Sequence, residues 1–293
     1  MSKVESRGPR AAGVSGARPS TLDLRHAFTL IEIMVVVVML SLIVFALMSV
    51  FTGTQKAFRS TITQTDVLEG GRAAMDLIVS DLKQMSPSLD VSTSFYVTVN
   101  SSTLVQSLIA SSYYRTNVLE KFFIMSRDNQ TWTGTGYVVS LSPTNLYSLY
   151  RFSTNMNVAA GSPAALFNSF SNAVANNNFT GMSHLLDGVV DFRVRAFDPN
   201  GVWMNSNYTN ANNFMANSAS SFYGETGFYM FSNTLPATVE IQMGVVEDRT
   251  LQRASTWPNG STAQINYLAQ QAGQVHVFRQ RISIPNLDPA AYQ

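Results

Sequence analysis

The chain has 293 residues, of which 45% are hydrophobic and only 13% are charged, and it contains no cysteine. The lack of cysteine excludes disulfide frameworks, thiolate metal sites and cysteine nucleophiles. The formal net charge of +1 provides no global field that would favour nucleic-acid binding. The length allows one large domain or two small ones.

The most informative segment is a long apolar run near the N-terminus. From residue 33 to residue 51 every side chain is apolar except Ser41 and Ser49. Nineteen residues in a helix span roughly 28 Å, about the thickness of the hydrocarbon core of a bilayer. A soluble helix needs only one apolar stripe, so a helix that is apolar on all sides favours a membrane span over a buried central helix. We predict a transmembrane segment over residues 28–51.

The charges that flank this span predict its orientation. Five basic residues precede it within residues 1–27, whereas only Lys56 and Arg59 follow it closely. The positive-inside rule therefore places residues 1–27 in the cytoplasm and the bulk of the chain on the other side of the membrane. A cleaved secretory signal peptide is the alternative, but the apolar run is too long and no small-residue cleavage pattern follows it.

One carboxylate, Glu32, lies directly before the fully apolar run. A carboxylate that faces lipid without a partner is energetically expensive. Two interpretations remain open at this point. Glu32 either reaches water at the level of the lipid headgroups, or pairs with a cation in the membrane, such as the free α-amino group of a neighbouring chain.

The residues around Glu32 resemble the type IV prepilin motif, since Ala27, Phe28 and Thr29 are followed by Leu-Ile-Glu. The resemblance implies that a bacterial prepilin peptidase cuts between Ala27 and Phe28 and N-methylates Phe28. The family usually has glycine where this chain has Ala27, which is also small. Glu32 would then be the fifth residue of the mature chain, where the family keeps a glutamate that pairs with a neighbouring N-terminus.

The same resemblance implies that the membrane helices of neighbouring subunits pack against each other in a filament core. The candidate packing residues are Ile33, Val36, Leu40, Val44 and Leu47. The implied location is the bacterial inner membrane, with residues 1–27 as a cleaved leader and the C-terminal domain in the periplasm.

Residues 52–86 are predicted to continue the helix beyond the membrane. Apolar residues between Leu68 and Met85 recur with the 3.6-residue period of a helix, and Pro87 ends the pattern. The pattern places Asp81 away from the apolar face. The pair Gly70 and Gly71 predicts a weak point or bend, because glycine is a poor helix former.

Beyond Pro87 the pattern changes to short β-strands that define a globular domain over residues 87–293. Strands are predicted at 95–99, 122–126, 137–140, 146–152, 189–197, 239–246 and 275–284. Residues 153–178 and 205–227 are predicted to be long surface loops, the first with a short helix at 164–175. Residues 134–136, Gly-Thr-Gly, predict a hairpin turn, and residues 198–201, Asp-Pro-Asn-Gly, predict another. The fold class is α+β, which the resemblance specifies as pilin-like, with a long N-terminal helix and an antiparallel sheet.

A narrower resemblance lies in the C-terminal half. Residues 186–198, Trp203 and residues 235–241 resemble segments of J-type minor pseudopilins. This implies a structural subunit of a type II secretion pseudopilus, at its tip or in its initiation complex, that supports protein export. The implied partners are other minor pseudopilins, the major pseudopilin, the prepilin peptidase and inner-membrane lipid, with no nucleic acid. The alternative is a minor pilin of a type IV pilus or competence system that acts as a binding or adhesion module.

No catalytic constellation is recognisable. The three histidines, His26, His184 and His276, lack the spacing of any hydrolase or metalloprotease motif. Asp187, Asp191 and Asp198 are oxygen ligands of the type that calcium prefers, but they match no calcium-binding loop. We therefore predict neither enzymatic activity, nor a cofactor, nor a metal site.

Overall fold

The structure is a computed structural model that describes residues 29–88, 90–99, 107–109, 114–140, 147–222, 224–258 and 261–292. It has the predicted α+β class, with a long N-terminal apolar helix and an antiparallel β-sheet domain. The chain divides into two compact units, Met1–Lys56 and Ala57–Gln293. The first helix, α1 (Leu30–Lys83), contributes to both.

Twelve strands and three further α-helices are present within the described residues. The strands are β1 (Thr93–Val99), β2 (Ser107–Ile109), β3 (Tyr114–Thr116), β4 (Glu120–Asp128), β5 (Thr131–Ser140), β6 (Ser148–Asn157), β7 (Ser183–Leu186), β8 (Val189–Phe197), β9 (Phe214–Phe222), β10 (Glu225–Phe231), β11 (Thr238–Val246) and β12 (Val275–Ser283). The helices are α2 (Ala164–Ala175), α3 (Asp248–Ala254) and α4 (Thr262–Gln270).

The strands form three antiparallel sheets. The largest has seven strands in the order β7-β6-β5-β4-β1-β10-β9, and a second has the order β12-β11-β8. The strands β2 and β3 form a separate pair. A single parallel bridge between Leu119 and Phe192 joins the start of β4 to β8 and so connects the two larger sheets.

The second half of α1 supplies the centre of the hydrophobic core. Its buried side chains recur every three or four residues, which places them on one face of the helix. They are Val67, Ala74, Met75, Ile78, Val79 and Leu82, and they belong to the same cluster as the inward-facing residues of β1, β4, β8 and β11. Burying one large apolar side chain contributes about 1.5–3 kcal/mol, so this face stabilises the domain strongly.

Part of the outer face of the seven-stranded sheet is covered by α2, whose predicted bounds are confirmed. Gly134 and Gly136 do not form the predicted turn, because both lie inside β5 below α2. A Cβ atom at Gly136 would lie 2.4 Å from the Phe170 ring, so the missing side chains let the helix approach. The turn between β4 and β5 is formed instead at Asn129, which has a φ of 51°.

The predicted loop over residues 205–227 is partly wrong, because it contains β9 and the start of β10. β9 is an edge strand that pairs with β10 alone, and it needs few large apolar side chains for that reason. Its serine, alanine and asparagine residues therefore resemble a loop in composition. The turn at residues 198–201 is confirmed: Asp198 accepts bonds from the backbone N–H groups of Asn200 and Val202.

The helix continues through the glycine pair Gly70 and Gly71 without interruption. A Cβ atom at Gly71 would lie 2.3 Å from the ring of Phe278 on β12. The missing side chain therefore allows close contact between helix and strand.

The prediction that Asp81 lies away from the apolar face of α1 is wrong, because Asp81 is buried against the sheet. Its carboxylate accepts two bonds from Arg151 of β6, from Nε at 2.7 Å and from Nη2 at 3.0 Å. The hydroxyl of Tyr137 on β5 donates a third bond at 2.5 Å. Burial and the neighbouring carboxylate raise the pKa of Tyr137, so this hydroxyl stays protonated and acts as a donor. The three side chains tie α1 to two adjacent strands.

We predict that Asp81→Asn lowers the free energy of unfolding by about 2–4 kcal/mol, because it leaves the partly buried guanidinium of Arg151 without its anionic partner. The measurement is urea denaturation of the detergent-solubilised full chain, followed by tryptophan fluorescence. Asp76→Asn, at an exposed position of the same helix, is the matched control and should change stability by less than about 0.5 kcal/mol. Equal effects of the two substitutions would contradict the anchoring role.

Candidate functional site

The N-terminal part of α1 exposes a continuous apolar surface. Every large hydrophobic side chain from Leu30 to Phe51 is between 53% and 78% exposed. The most apolar 18-residue window has a mean hydropathy of 3.0, and none of it is buried. Apolar surface of this extent is unfavourable in water and indicates contact with lipid or with other protein. The helix is long and apolar enough to cross a membrane.

The five candidate packing residues lie along one stripe of this surface. Ile33, Val36, Leu40, Val44 and Leu47 are separated by three or four positions, which brings them to the same side of a helix. All five are exposed to a similar extent, between 53% and 63%. The other sides of the segment are equally apolar, so the structure groups these residues but does not distinguish their face from its neighbours.

The hydroxyl groups of Ser41 and Thr52, in and next to the apolar segment, bond to the helix itself. Ser41 Oγ donates to the carbonyl of Val38 at 2.8 Å, and Thr52 Oγ1 donates to the carbonyl of Ser49 at 2.9 Å. In hydrocarbon an unpaired polar group costs several kcal/mol, so hydroxyls that bond to their own helix are compatible with a lipid environment.

Glu32 takes part in a capping box at the start of α1. The backbone N–H of Glu32 donates to Thr29 Oγ1 at 3.3 Å, and the backbone N–H of Thr29 donates to Glu32 Oε2 at 3.4 Å. This reciprocal arrangement gives the backbone N–H of Thr29 an acceptor and adds a side-chain acceptor for the N–H of Glu32, which also donates to the carbonyl of Thr29 at 3.0 Å. The spacing Thr-x-x-Glu before an apolar run signals such a cap, and our sequence reasoning missed it. Ala27 and Phe28, the predicted processing residues, lie outside the described residues.

His184 and His276 form no catalytic arrangement with the neighbours that the structure describes. His184 Nε2 lies 2.8 Å from Asp187 Oδ1, and the buried Ser148 donates to that same oxygen at 2.5 Å. The carboxylate of Asp187 lies between the other two groups, so the imidazole of His184 is not placed to accept the proton of Ser148. His276 Nε2 lies 3.4 Å from Glu247 Oε1. His26 lies outside the described residues.

The three aspartates considered as calcium ligands serve separate parts of the fold. Asp187 bonds to Ser148, and Asp198 caps its own turn. Asp191 accepts from the backbone N–H of Val118 at 2.9 Å and from Gln242 Nε2 at 2.7 Å. Within the part of the chain that the structure describes, no group of three or more acidic or histidine side chains is arranged to hold a metal ion.

A buried charged seam joins the two larger sheets, and it was not predicted from the sequence. Glu120 of β4 and Glu225 of β10 are 1% and 2% exposed and face arginines of β8. Arg193 Nη1 lies 3.2 Å from Glu225 Oε1, and Arg195 Nε donates to the same carboxylate at 3.1 Å. Glu120 accepts from the backbone N–H of Val194. Polar groups from both sheets therefore meet at this seam.

The pKa of Glu120 is raised well above its usual value by burial and, secondarily, by repulsion from Glu225. The folded protein therefore retains the Glu120 proton to a higher pH than the unfolded chain does. The stabilising effect of this proton is fully present below the unfolded pKa of about 4.3 and is lost as the pH rises through the folded pKa.

We predict that Glu120→Gln, which imitates the protonated side chain, weakens this pH dependence. The free energy of unfolding of the original protein should fall relative to that of the variant between pH 4 and pH 8. Chemical denaturation of both proteins at each pH measures the difference, in which contributions from other groups cancel. Glu69→Gln, on the exposed side of α1, is the matched control, and its free energy of unfolding should follow that of the original protein at every pH. An equal change with pH in both variants would refute the assignment of this pH dependence to Glu120.

Comparison with known proteins finds no match for this chain. No family model, no curated protein and no solved structure matches it.

Proposed function

We propose that this chain is a type IV pilin-like subunit, and more specifically a J-like minor pseudopilin of a bacterial type II secretion pseudopilus. The observation that carries the proposal is the start of α1: an apolar segment exposed on every side, with a single carboxylate in its first turn. The resemblance of residues 27–32 to the prepilin motif supports the same assignment.

An evenly apolar helix suits a subunit that passes from lipid into a filament core. Lipid tails and aliphatic side chains are similarly apolar, so the hydrophobic effect barely distinguishes the two environments. Close packing and polar contacts then decide whether neighbouring helices associate. Glu32 is the only charged residue between Leu30 and Phe51 and is therefore the natural source of such a contact.

The cap at the start of α1 is compatible with the proposed processing. Removal of residues 1–27 would leave Phe28 as the first residue and would retain both Thr29 and Glu32. One oxygen of the Glu32 side chain bonds to Thr29, and a carboxylate has capacity for further donors. In the proposed assembly, Glu32 caps its own helix and also pairs with the methylated amino group of a neighbouring subunit.

In this proposal the second unit, Ala57–Gln293, is the periplasmic part that contacts other minor pseudopilins and the major pseudopilin. The proposal assigns it a structural role in protein export and no catalytic one. The inner membrane holds the subunit before assembly, and the prepilin peptidase is its processing partner.

We predict that co-expression with a prepilin peptidase removes residues 1–27 and adds one methyl group to Phe28. Mass spectrometry of the membrane-purified N-terminus, with and without the peptidase, measures both changes. Ala27→Leu is the control, because a larger residue before the cut should leave the chain unprocessed. A peptidase-independent N-terminus, or a cut beyond Phe51, would contradict membership of the class.

We further predict that Glu32→Ala and Glu32→Gln both insert into the membrane but enter filaments less often than the original protein. Glutamine at this position retains an acceptor for the Thr29 N–H but carries no charge, so it separates capping from charge pairing. Quantitative immunoblotting of sheared filament and membrane fractions measures incorporation. Normal incorporation of Glu32→Gln together with loss for Glu32→Ala would assign Glu32 to capping alone.

A further inference from the structure

The strands at the rims of the two larger sheets differ in how their outer backbone groups are used. β7 has only four residues, and its pairing with β6 shifts register. β9 contains a bulge opposite Thr226 and Gly227, and Ser220 of this strand turns back to accept from the backbone N–H of Val99 at 2.8 Å. Short and bulged strands are poor templates for a further strand.

The outer side of β8 is closed by other parts of the chain. The backbone N–H of Phe192 donates to the carbonyl of Val118 at 2.8 Å, and the carbonyl of Ala196 accepts from Met204 at 2.9 Å. The side chain of Glu120 accepts a hydrogen bond from the backbone N–H of Val194, so this donor is not free for another strand. β8 is therefore unable to accept a further strand.

β12 is different, because it is a long and regular edge strand. All nine of its residues pair with β11 without a register shift, from Ser283 opposite Thr238 to Val275 opposite Val246. No described residue pairs with the other side of β12. Alternate backbone N–H and C=O groups along this side are thus directed away from the sheet, as in other sites where a peptide adds a strand.

The charges on the outer face of β12 indicate what kind of strand fits. Arg279 and Arg281 lie two residues apart on this face, and the Arg279 side chain is 57% exposed. Arg279 bonds to Glu240 at 2.7 Å, and Arg195 lies 3.9 Å from the same carboxylate. Arg281 stacks 4.0 Å above the ring of Phe197, and no described carboxylate pairs with it. Positive charge is therefore in excess beside the edge.

We propose that the free edge of β12 binds an extended segment of another protein as an added antiparallel strand. The added strand carries acidic side chains opposite Arg281 and Arg279 and an apolar side chain opposite Val277, which is 45% exposed. Read from its own N-terminus, the segment has the pattern acidic-x-acidic-x-apolar. This inference concerns the second unit alone and does not depend on whether the chain is a pilin-like subunit.

A second copy of β12 is a poor occupant of this edge. Two antiparallel β12 strands centred on Gln280 would place Arg279 opposite Arg281, and centring on Arg279 would place that residue opposite itself. Like charges directly opposite each other destabilise a strand pair. The arginines thus select against self-association and favour an acidic partner.

The test uses the detergent-solubilised full chain and a labelled peptide, Thr-Glu-Thr-Glu-Thr-Val-Thr. Fluorescence anisotropy should show saturable binding of this peptide, with about tenfold weaker binding of the analogue that has lysine in place of both glutamates. Two analogues N-methylated on alternate sets of residues should differ, because only one set directs its N–H groups toward β12. Hydrogen exchange should slow along residues 275–283 when the peptide is bound.

The double substitution Arg279→Glu and Arg281→Glu should invert the preference, so that the lysine peptide binds about tenfold more tightly than the glutamate peptide. The matched control is Arg249→Glu with Arg253→Glu, which changes the net charge equally on the exposed side of α3 and should retain the original preference. Arg279→Glu alone, at the more exposed position, replaces the double variant if the latter does not fold. Absence of binding, indifference to peptide charge, or equal binding of both N-methylated analogues would overturn the proposal.

Discussion

The contact of Asp81 with Arg151 and Tyr137 is the interaction on which the arrangement of the second unit depends. Apolar packing between a helix and a sheet is non-directional and tolerates rotation or sliding of the helix. A bidentate carboxylate–guanidinium pair with a third donor has only one satisfactory geometry. It therefore specifies which face of α1 meets the sheet and at what height, while the surrounding apolar residues supply most of the stabilisation.

Close approach of backbone and side chain allows this arrangement to be tightly packed. Gly71 of α1 admits the ring of Phe278, and Gly136 of β5 admits the ring of Phe170. The seven-stranded sheet is thus covered on its inner face by α1 and on part of its outer face by α2. Glycine has a low intrinsic propensity for helix and for strand, so it destabilises α1 and β5 at these positions. The packing of a large aromatic ring against each glycine offsets that cost.

The two larger sheets are joined by charge as well as by apolar contact. Glu120 and Glu225 bring carboxylates into an almost completely buried position, where they meet backbone donors and the arginines of β8. Such a seam contributes specificity only if nearly every group has a partner, because an unpaired buried charge is expensive. It also closes one side of β8, so that the regular free edge of the smaller sheet is confined to β12.

The sequence by itself determined the features that depend on neighbours along the chain. The apolar run predicts the exposed segment of α1, the alternation at residues 189–197 predicts β8 with its observed bounds, and residues 164–175 predict α2. The cap between Thr29 and Glu32 was readable from its spacing, although we missed it. Periodicity and capping depend only on residues that are close together in the chain, so they can be recognised without knowledge of the fold.

Only the tertiary structure decided which polar residues are buried together and which strands are edges. Asp81 meets Arg151 across 70 positions of sequence, and Glu120 meets the backbone of Val194 across 74. β9 is a strand because β10 offers it a pairing partner, not because its serine- and asparagine-rich sequence favours one. The physical reason is the same for the Asp81 pair, the Glu120 bond and β9. Each hydrogen bond or ion pair depends on two groups that are distant in the chain and close in space, and the pattern of neighbouring residues in the sequence does not specify which distant groups come together.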